Sequence, residues 1–280
     1  MTEYDTKTNI SAKEKIIYEI SSRISSSDAP IVFKGALITK LILAENGYTD
    51  VVRGTKDIDA NWYGNPPSTE LIRKEIQNAL DGMTDSYYVE VSREYGENRS
   101  AGFVVYHKDT KQKVISMDID ILKLTGCRDY YYGEAVIRGV NVDEILADKL
   151  VCISSDLVYK HRTKDLIDVY ALMHCVSIDI NDIYNNIQNH NRTIGTFDGF
   201  LNKTNELQHA YDMLRGIERK PNFEKIYCEV KSFLEPFIYR KTNMLWDANQ
   251  KGWIENIEPK PNKNETDYLD LTNPNVSKTI

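Results

Sequence analysis

The sequence predicts an α/β (α+β) fold, a small mixed β-sheet core with flanking helices followed by a helical domain. Three observations lead there. A strand, a glycine turn and a helix follow one another between residues 31 and 47, and β-rich runs crowd residues 86–123. Beyond Val142 the apolar period becomes 3.6 and holds through several segments. At roughly 150 residues per domain, 280 residues suggest two domains. The change of period sets the boundary, giving 1–140 for the sheet-bearing domain, 141–246 for the helical domain and 247–280 for an irregular C-terminal tail.

Ser11-Ala12-Lys13-Glu14 forms a capping box ahead of Ile16, Ile17, Ile20 and Ile24, so the first helix runs to about Ser26. Asp28-Ala29-Pro30 stops it. Ile31-Val32-Phe33 enters Lys34-Gly35 as a strand, and Ala36, Leu37, Leu41 and Leu43 continue as a helix closed by Gly47. From Asp57 to Trp62 acid and apolar residues alternate as a short strand, and Pro66-Pro67-Ser68 opens an amphipathic helix through Leu71, Ile72, Ile76 and Leu80. The runs from Tyr87 to Val91, Ala101 to Tyr106 and Lys113 to Leu122 read as an antiparallel meander. Helical segments follow from Val142 to Ile153, Lys164 to Cys175, Asp182 to Ile187, Phe197 to Leu214 and Phe223 to Leu234. Trp246 or Trp253 is left to anchor the tail.

Acids outnumber bases 42 to 35, the net charge is -7 and the pI is near 5.4, which argues against a uniformly basic nucleic-acid-binding module. Any such contact must use a local patch. No run approaches the roughly 18 apolar residues of a membrane span, and the start MTEYDTKTNI carries no basic-then-apolar signal, so the chain reads as cytoplasmic, with no membrane partner. Cys127, Cys152, Cys175 and Cys228 lack zinc-type spacing and read as buried free thiols.

Candidate chemistry begins with Asp57-Ile58-Asp59. Alternate residues of a strand share a face, so the two carboxylates point one way and Ile58 points into the core. Acids held this close repel each other and call for a cation between them, and Mg²⁺ takes one or two carboxylates and completes its shell with phosphate and water. A lone pair of this kind is more often a solvated strand face. The run from Val114 to Leu122 changes that balance by placing Asp118 and Asp120 on one face and Ile115, Met117, Ile119 and Ile121 on the other. If the two strands pair, a third carboxylate completes a two-metal clamp for phosphoryl transfer. Asp118 is preferred over Asp120 because it lies deeper in the strand. Lys34-Gly35-Ala36 adds a tight turn whose helix aims its N-terminal amides at an anion, although such a glycine alone is a weak signal.

Lys149 sits within the apolar stripe of Val142, Ile145, Leu146, Leu150 and Ile153, where it either snorkels to water or meets an anion. Asp165 and Asp168 share one face of the next helix. The economical arrangement sets Lys149 against these acids and a nucleotide phosphate, with Asp168 orienting it. An ammonium on this stripe is destabilising unless its charge is matched, so Lys149→Met is expected to leave thermal stability equal or higher while weakening triphosphate binding and collapsing transfer. Lys160-His161-Arg162-Lys164, with Arg215, Arg219, Lys220 and Arg240-Lys241, is either a solvated face or the lining of an RNA groove. The tyrosines at 130, 131 and 132 either stack bases or form a half-buried edge.

Four blocks in order, Phe33-Lys34-Gly35-Ala36-Leu37, Arg53-Gly54-Thr55-Lys56-Asp57-Ile58-Asp59, Glu144 to Leu150, and Lys164 to Tyr170, resemble the AbiEii/AbiGii family of nucleotidyltransferase toxins within the polymerase-β-like superfamily. They span residues 33 to 170, about half the chain. The resemblance implies Asp57 and Asp59 as metal-binding acids, Lys34 and Gly35 as the start of the glycine turn, Lys149 as the triphosphate-binding lysine and Asp165 with Asp168 as the late acidic motif. Arg53 and Thr55 join the nucleotide-binding set, and Arg162 and Lys164 are candidate RNA contacts. Two positions depart from the family's pattern: Ala36 stands where a second glycine or serine is usual, and Arg162-Thr163-Lys164-Asp165 replaces an Arg-Asp pair.

The expected activity is Mg²⁺-dependent transfer of a nucleotide from a nucleoside triphosphate to an acceptor hydroxyl. Two metals on Asp57, Asp59 and Asp118 serve the transfer, the acceptor is tRNA or another RNA, and a cognate antitoxin is a further partner. Modification of a small molecule such as an antibiotic, or a catalytically silent nucleotide- or partner-binding protein, are the competing expectations.

Overall fold

A computed structural model describes residues 12–65, 67–84, 86–95, 100–121, 126–155 and 162–256. Ser11, Pro66, Leu122, Lys160, His161 and everything after residue 256 lie outside them.

Helix α1 (Ala12–Ser25) buries Ile17, Ile20 and Ile24, the spacing that predicted it. Strand β1 (Ile31–Lys34) runs straight into α2 (Gly35–Glu45), and a short β2 (Val52–Arg53) precedes β3 (Ile58–Trp62). Helix α3 (Thr69–Leu80) starts where predicted, Ser68 capping it by accepting from the Leu71 amide. Strands β4 (Tyr87–Arg93), β5 (Ser100–His107) and β6 (Lys113–Asp120) form the expected antiparallel meander. An unpredicted hairpin follows, β7 (Cys127–Tyr132) and β8 (Ala135–Val140).

These strands make one seven-stranded mixed sheet in the order β4-β5-β6-β3-β1-β8-β7. Its centre matters most. Strand β3 is antiparallel to β1, with Lys34 opposite Asp59, and parallel to β6, with Asp59 opposite Asp118. The meander therefore delivers its last strand to the acid-bearing one, as the metal hypothesis required. Tyr130 is buried, Tyr131 is exposed and Tyr132 stacks on Tyr18, so the tyrosine run belongs to a half-buried sheet edge.

The second half is mostly helical: α4 (Val142–Ile153), α5 (Thr163–Met173), α6 (Ile180–Asn189), α7 (Asp198–Asn202), α8 (Thr204–Met213) and α9 (Phe223–Ile238). The single helical stretch expected from Phe197 to Leu214 is two helices, parted at Lys203. Two small sheets interrupt the pattern. Strand β10 (Ile217–Glu218) pairs with β2, while β9 (Ile178–Asp179), β11 (Met244–Asp247) and β12 (Gly252–Glu255) form the other. The expectation of an irregular tail from 247 is thus corrected as far as residue 256. Trp246 is buried and donates to the Met173 carbonyl at 2.7 Å, the partly buried Trp253 donates to that of Phe233 at 2.9 Å, and docking of the two indoles holds the hairpin on the helices.

A single buried apolar cluster runs from Ile17 through the sheet and on to Phe237 and Trp246, crossing residue 140 without a break. The cysteines correct another expectation. All four are free, but Cys127 and Cys228 are exposed and Cys152 and Cys175 only partly buried.

Candidate active site

The sheet and the helices meet at a cavity of about 260 Å³. Lys34, Gly35, Ala36, Arg53, Asp59 and Asp120 line it from the sheet side. Ile145, Asp148, Lys149 and Cys152 face it from α4, joined by Arg162, Lys164, Asp165 and Arg192.

Gly35 explains the cavity's floor. Its φ of +65° lies in the left-handed region, and a Cβ there would come within 2.6 Å of the Asp59 carboxylate. Only glycine lets the start of α2 close down beside Asp59. The helix N-terminus, left without a side-chain cap by Lys34, borders the cavity with its free amides.

Burial raises the Asp59 carboxyl above the usual carboxylate range, and repulsion from Asp57 adds to it. Lys34 and Lys164 pull it back in part, and Asp118 pushes it up again. Acids that destabilise one another's charge, with oxygen donors on adjacent strands, have the chemistry of a divalent-cation site. Among the described residues, however, no three Asp, Glu, His or Cys side chains already form a metal-binding cluster. Asp118 accepts from Arg93 at 2.8 Å and Asp120 from Lys34 at 2.6 Å, so each carboxylate is held by a basic side chain.

The structure separates the two candidates for third acid. Asp118 is exposed and beside Asp59 in register, whereas Asp120 pairs with Asn61, lines the cavity and holds Lys34. Asp57 lies one residue before β3, exposed and outside the cavity lining, so its place is a loop and not the strand expected for it. Thr55 is also displaced from its expected role. It is buried, donates to the Asp57 carbonyl at 2.8 Å and fixes the loop instead of facing the cavity.

Lys149 is 6% exposed, which rules out snorkelling. Its ammonium donates to Asp168 at 2.5 Å and to Asp165 at 3.2 Å. Arg53 reaches the same Asp168 with a two-pronged contact at 2.7 and 2.6 Å. Burial alone would raise the Asp168 pKa, but Lys149 and Arg53 override it and hold the carboxyl down at about 2. Desolvation works against the charge of Lys149 too, and the two aspartates outweigh it, raising its pKa. Two cations and two anions thus form one network, and Lys149 meets both Asp165 and Asp168 as the helix faces led one to expect.

Arg162 and Lys164, expected at an RNA surface, stand on the cavity wall. Sequence reasoning missed Asp148, Cys152 and Arg192. Asp148 pairs with Arg192 and acts on Lys34 across the cavity. The signal existed, since Ile145, Asp148, Lys149 and Cys152 follow the i, i+3, i+4, i+7 rule of one helix face.

A glycine turn beside a strand carboxylate, facing a buried lysine on a helix, suits a phosphate-bearing ligand. A family model described as "Nucleotidyl transferase AbiEii toxin, Type IV TA system" matches residues 22–261, and the chain belongs to this family of nucleotidyltransferase toxins. No curated protein sequence matches the chain. Among solved structures, it is similar to JHP933 from Helicobacter pylori, with 15% identity, a TM-score of 0.49 and coverage of 81% of this chain and 91% of that one. MenT4, a nucleotidyltransferase toxin from Mycobacterium tuberculosis H37Rv, is 16% identical, with a TM-score of 0.45 and coverage of 68% and 70%. Likenesses this distant carry no argument about the site. Among the described residues, no helix is long and apolar enough to cross a membrane.

Proposed function

We propose that the cavity binds a nucleoside triphosphate and that the enzyme transfers its nucleotide to a hydroxyl of RNA, most simply of tRNA, with Mg²⁺ as cofactor. The carrying observation is the opposition, across one cavity, of Asp59 and the Gly35 turn to Lys149, Arg162 and Lys164. Carboxylates suit the reacting centre, and cations with helix-end amides suit the phosphates.

Asp57, Asp59 and Asp118 would hold the metal, which when bound supplies charge neutralisation at the attacking and leaving oxygens. Lys34 and the α2 amides steady the β- and γ-phosphates from below, and Lys149 supports them from α4. Asp118 takes the proton of the acceptor hydroxyl. That oxygen forms a bond to the α-phosphorus as the bond to the β-phosphate oxygen breaks, and pyrophosphate leaves with the electron pair. Arg53 positions Lys149 indirectly by sharing Asp168 with it. The toxin-antitoxin description of the family supports a cognate antitoxin as the toxin's functional counterpart.

Incubation of the purified protein with total RNA, Mg²⁺ and each α-labelled nucleotide tests this reading. A labelled RNA band in the size range of tRNA is expected. Label appearing on an aminoglycoside or other small hydroxylated acceptor, with none on RNA, would overturn it.

A further inference from the structure

The carboxylates of the site stand at one end of a larger open surface. On β6, β5 and β4 the Asp118 face continues through register partners: Asp118 lies beside Gly102, Lys113 beside Tyr106, and Tyr106 beside Tyr88. The opposite face of these strands is sealed, with Phe103, Val105, Ile115 and Met117 buried. On the Asp118 face, Tyr88 and Tyr106 are only partly buried, and Arg93, Lys111 and Lys113 are exposed.

The two tyrosine rings stack at 5.2 Å between centroids and 17° between planes, and the Lys111 ammonium sits 4.8 Å from the Tyr88 ring centre. Gly102 keeps the floor flat beside Asp118, and Val104, Ser116 and Glu90 lie between it and the tyrosines. A Cβ on Gly102 would come within 2.8 Å of the Ser92 hydroxyl and 3.2 Å of the Arg93 Cβ, and Arg93 itself donates to Asp118. From Asp118 to the tyrosine row is roughly 15 Å of strand.

Reaction geometry says what comes this way. An in-line displacement places the attacking oxygen opposite the leaving pyrophosphate. The Lys34-Gly35 turn follows β1, Asp118 lies on β6, and β3 with Asp59 stands between them. If phosphates leave on the β1 side, the acceptor enters from the β6 side, over the open face. We infer that this face is the track for a single-stranded RNA end. Its terminal hydroxyl lies at Asp118, a preceding base stacks against the Tyr88–Tyr106 pair, and its phosphates meet Lys111, Lys113 and Arg93. Stacked rings flanked by cations are how sequence-tolerant single-strand sites are built. The inference rests on RNA being the acceptor, and its test separates the two.

Fluorescence anisotropy with a labelled RNA oligonucleotide bearing a single-stranded 3′ end, beside steady-state transfer to the same RNA, reads the track directly. The double variant Tyr88→Ala/Tyr106→Ala should weaken binding and raise the KM for RNA about tenfold, while nucleotide affinity and kcat at saturating RNA hold. Tyr88→Phe/Tyr106→Phe, which keeps both rings, should restore wild-type values. If the alanine variant melts early, Lys111→Glu/Lys113→Glu replaces it, with the same rise in KM expected. Wild-type KM for RNA in folded alanine and charge-reversed variants would overturn the track and leave the RNA reading standing. A wild-type protein that neither binds nor modifies RNA would overturn both, including the case in which a protein proves to be the acceptor.

Discussion

Lys149 shows how a single residue's environment reverses an expectation. An ammonium alone in an apolar stripe would cost stability, and its removal would then be neutral or favourable. Here its charge is matched by Asp165 and Asp168, and Arg53 hydrogen-bonds only the second of these. Lys149→Met therefore strands the buried Asp165 and should destabilise the fold by about 3 kcal/mol, visible as a lower melting temperature. A variant melting at or above wild type would mean that the network is not formed in solution. The neighbouring question is which acid on β6 serves the reaction. Asp118→Asn should remove transfer almost completely, since Asp118 adjoins Asp59 in register. Asp120→Asn should leave most of it, because Lys34 keeps Asp59 and Asp148 as electrostatic partners. Comparison of kcat for the two purified variants decides the assignment.

Among the elements, the β1–α2 junction carries the tightest constraint. Gly35→Ala must place a side chain at φ +65° and against the Asp59 carboxylate. The conformation alone costs about 1–2 kcal/mol, so a chemical melt should register the loss, and displacement of Asp59 should lower transfer further. Full activity with an unchanged melt would contradict the proposed packing. This junction was legible because an apolar run entering Lys-Gly before a helical pattern has few other readings. Helix α4 was equally legible from its period, down to both termini. What the sequence hid was of two kinds. The β7–β8 hairpin turns at Gly133 with polar residues on its exposed edge, so no strict alternation announced it. The β11–β12 hairpin owes its order to two indoles docking on distant helices, a tertiary effect that local composition does not encode. Similarly, Thr55 looked like a ligand in the block it shares with Asp57, and only the folded loop reveals that its hydroxyl is spent on a carbonyl.

Across the whole molecule, the sheet and the helices are joined by more than the chain between them. Strand β10, from the helical half, pairs with β2, and β2 carries Arg53 to Asp168 on α5. The cavity forms where these ties draw α4 and α5 over Asp59, so fold and site share one set of contacts. In the proposed function Asp59 serves nucleotide transfer at a cost to stability. Its raised pKa means that its ionised form is disfavoured in the folded protein, so stability is lost as pH rises through that pKa, and neutralising the group should recover it. The most direct test pairs transfer of an α-labelled nucleotide to RNA with thermal melting at neutral pH, for wild type and Asp59→Asn. Abolished transfer is expected in a variant that melts at or above the wild-type temperature. Transfer at the wild-type rate by folded Asp59→Asn protein would contradict it.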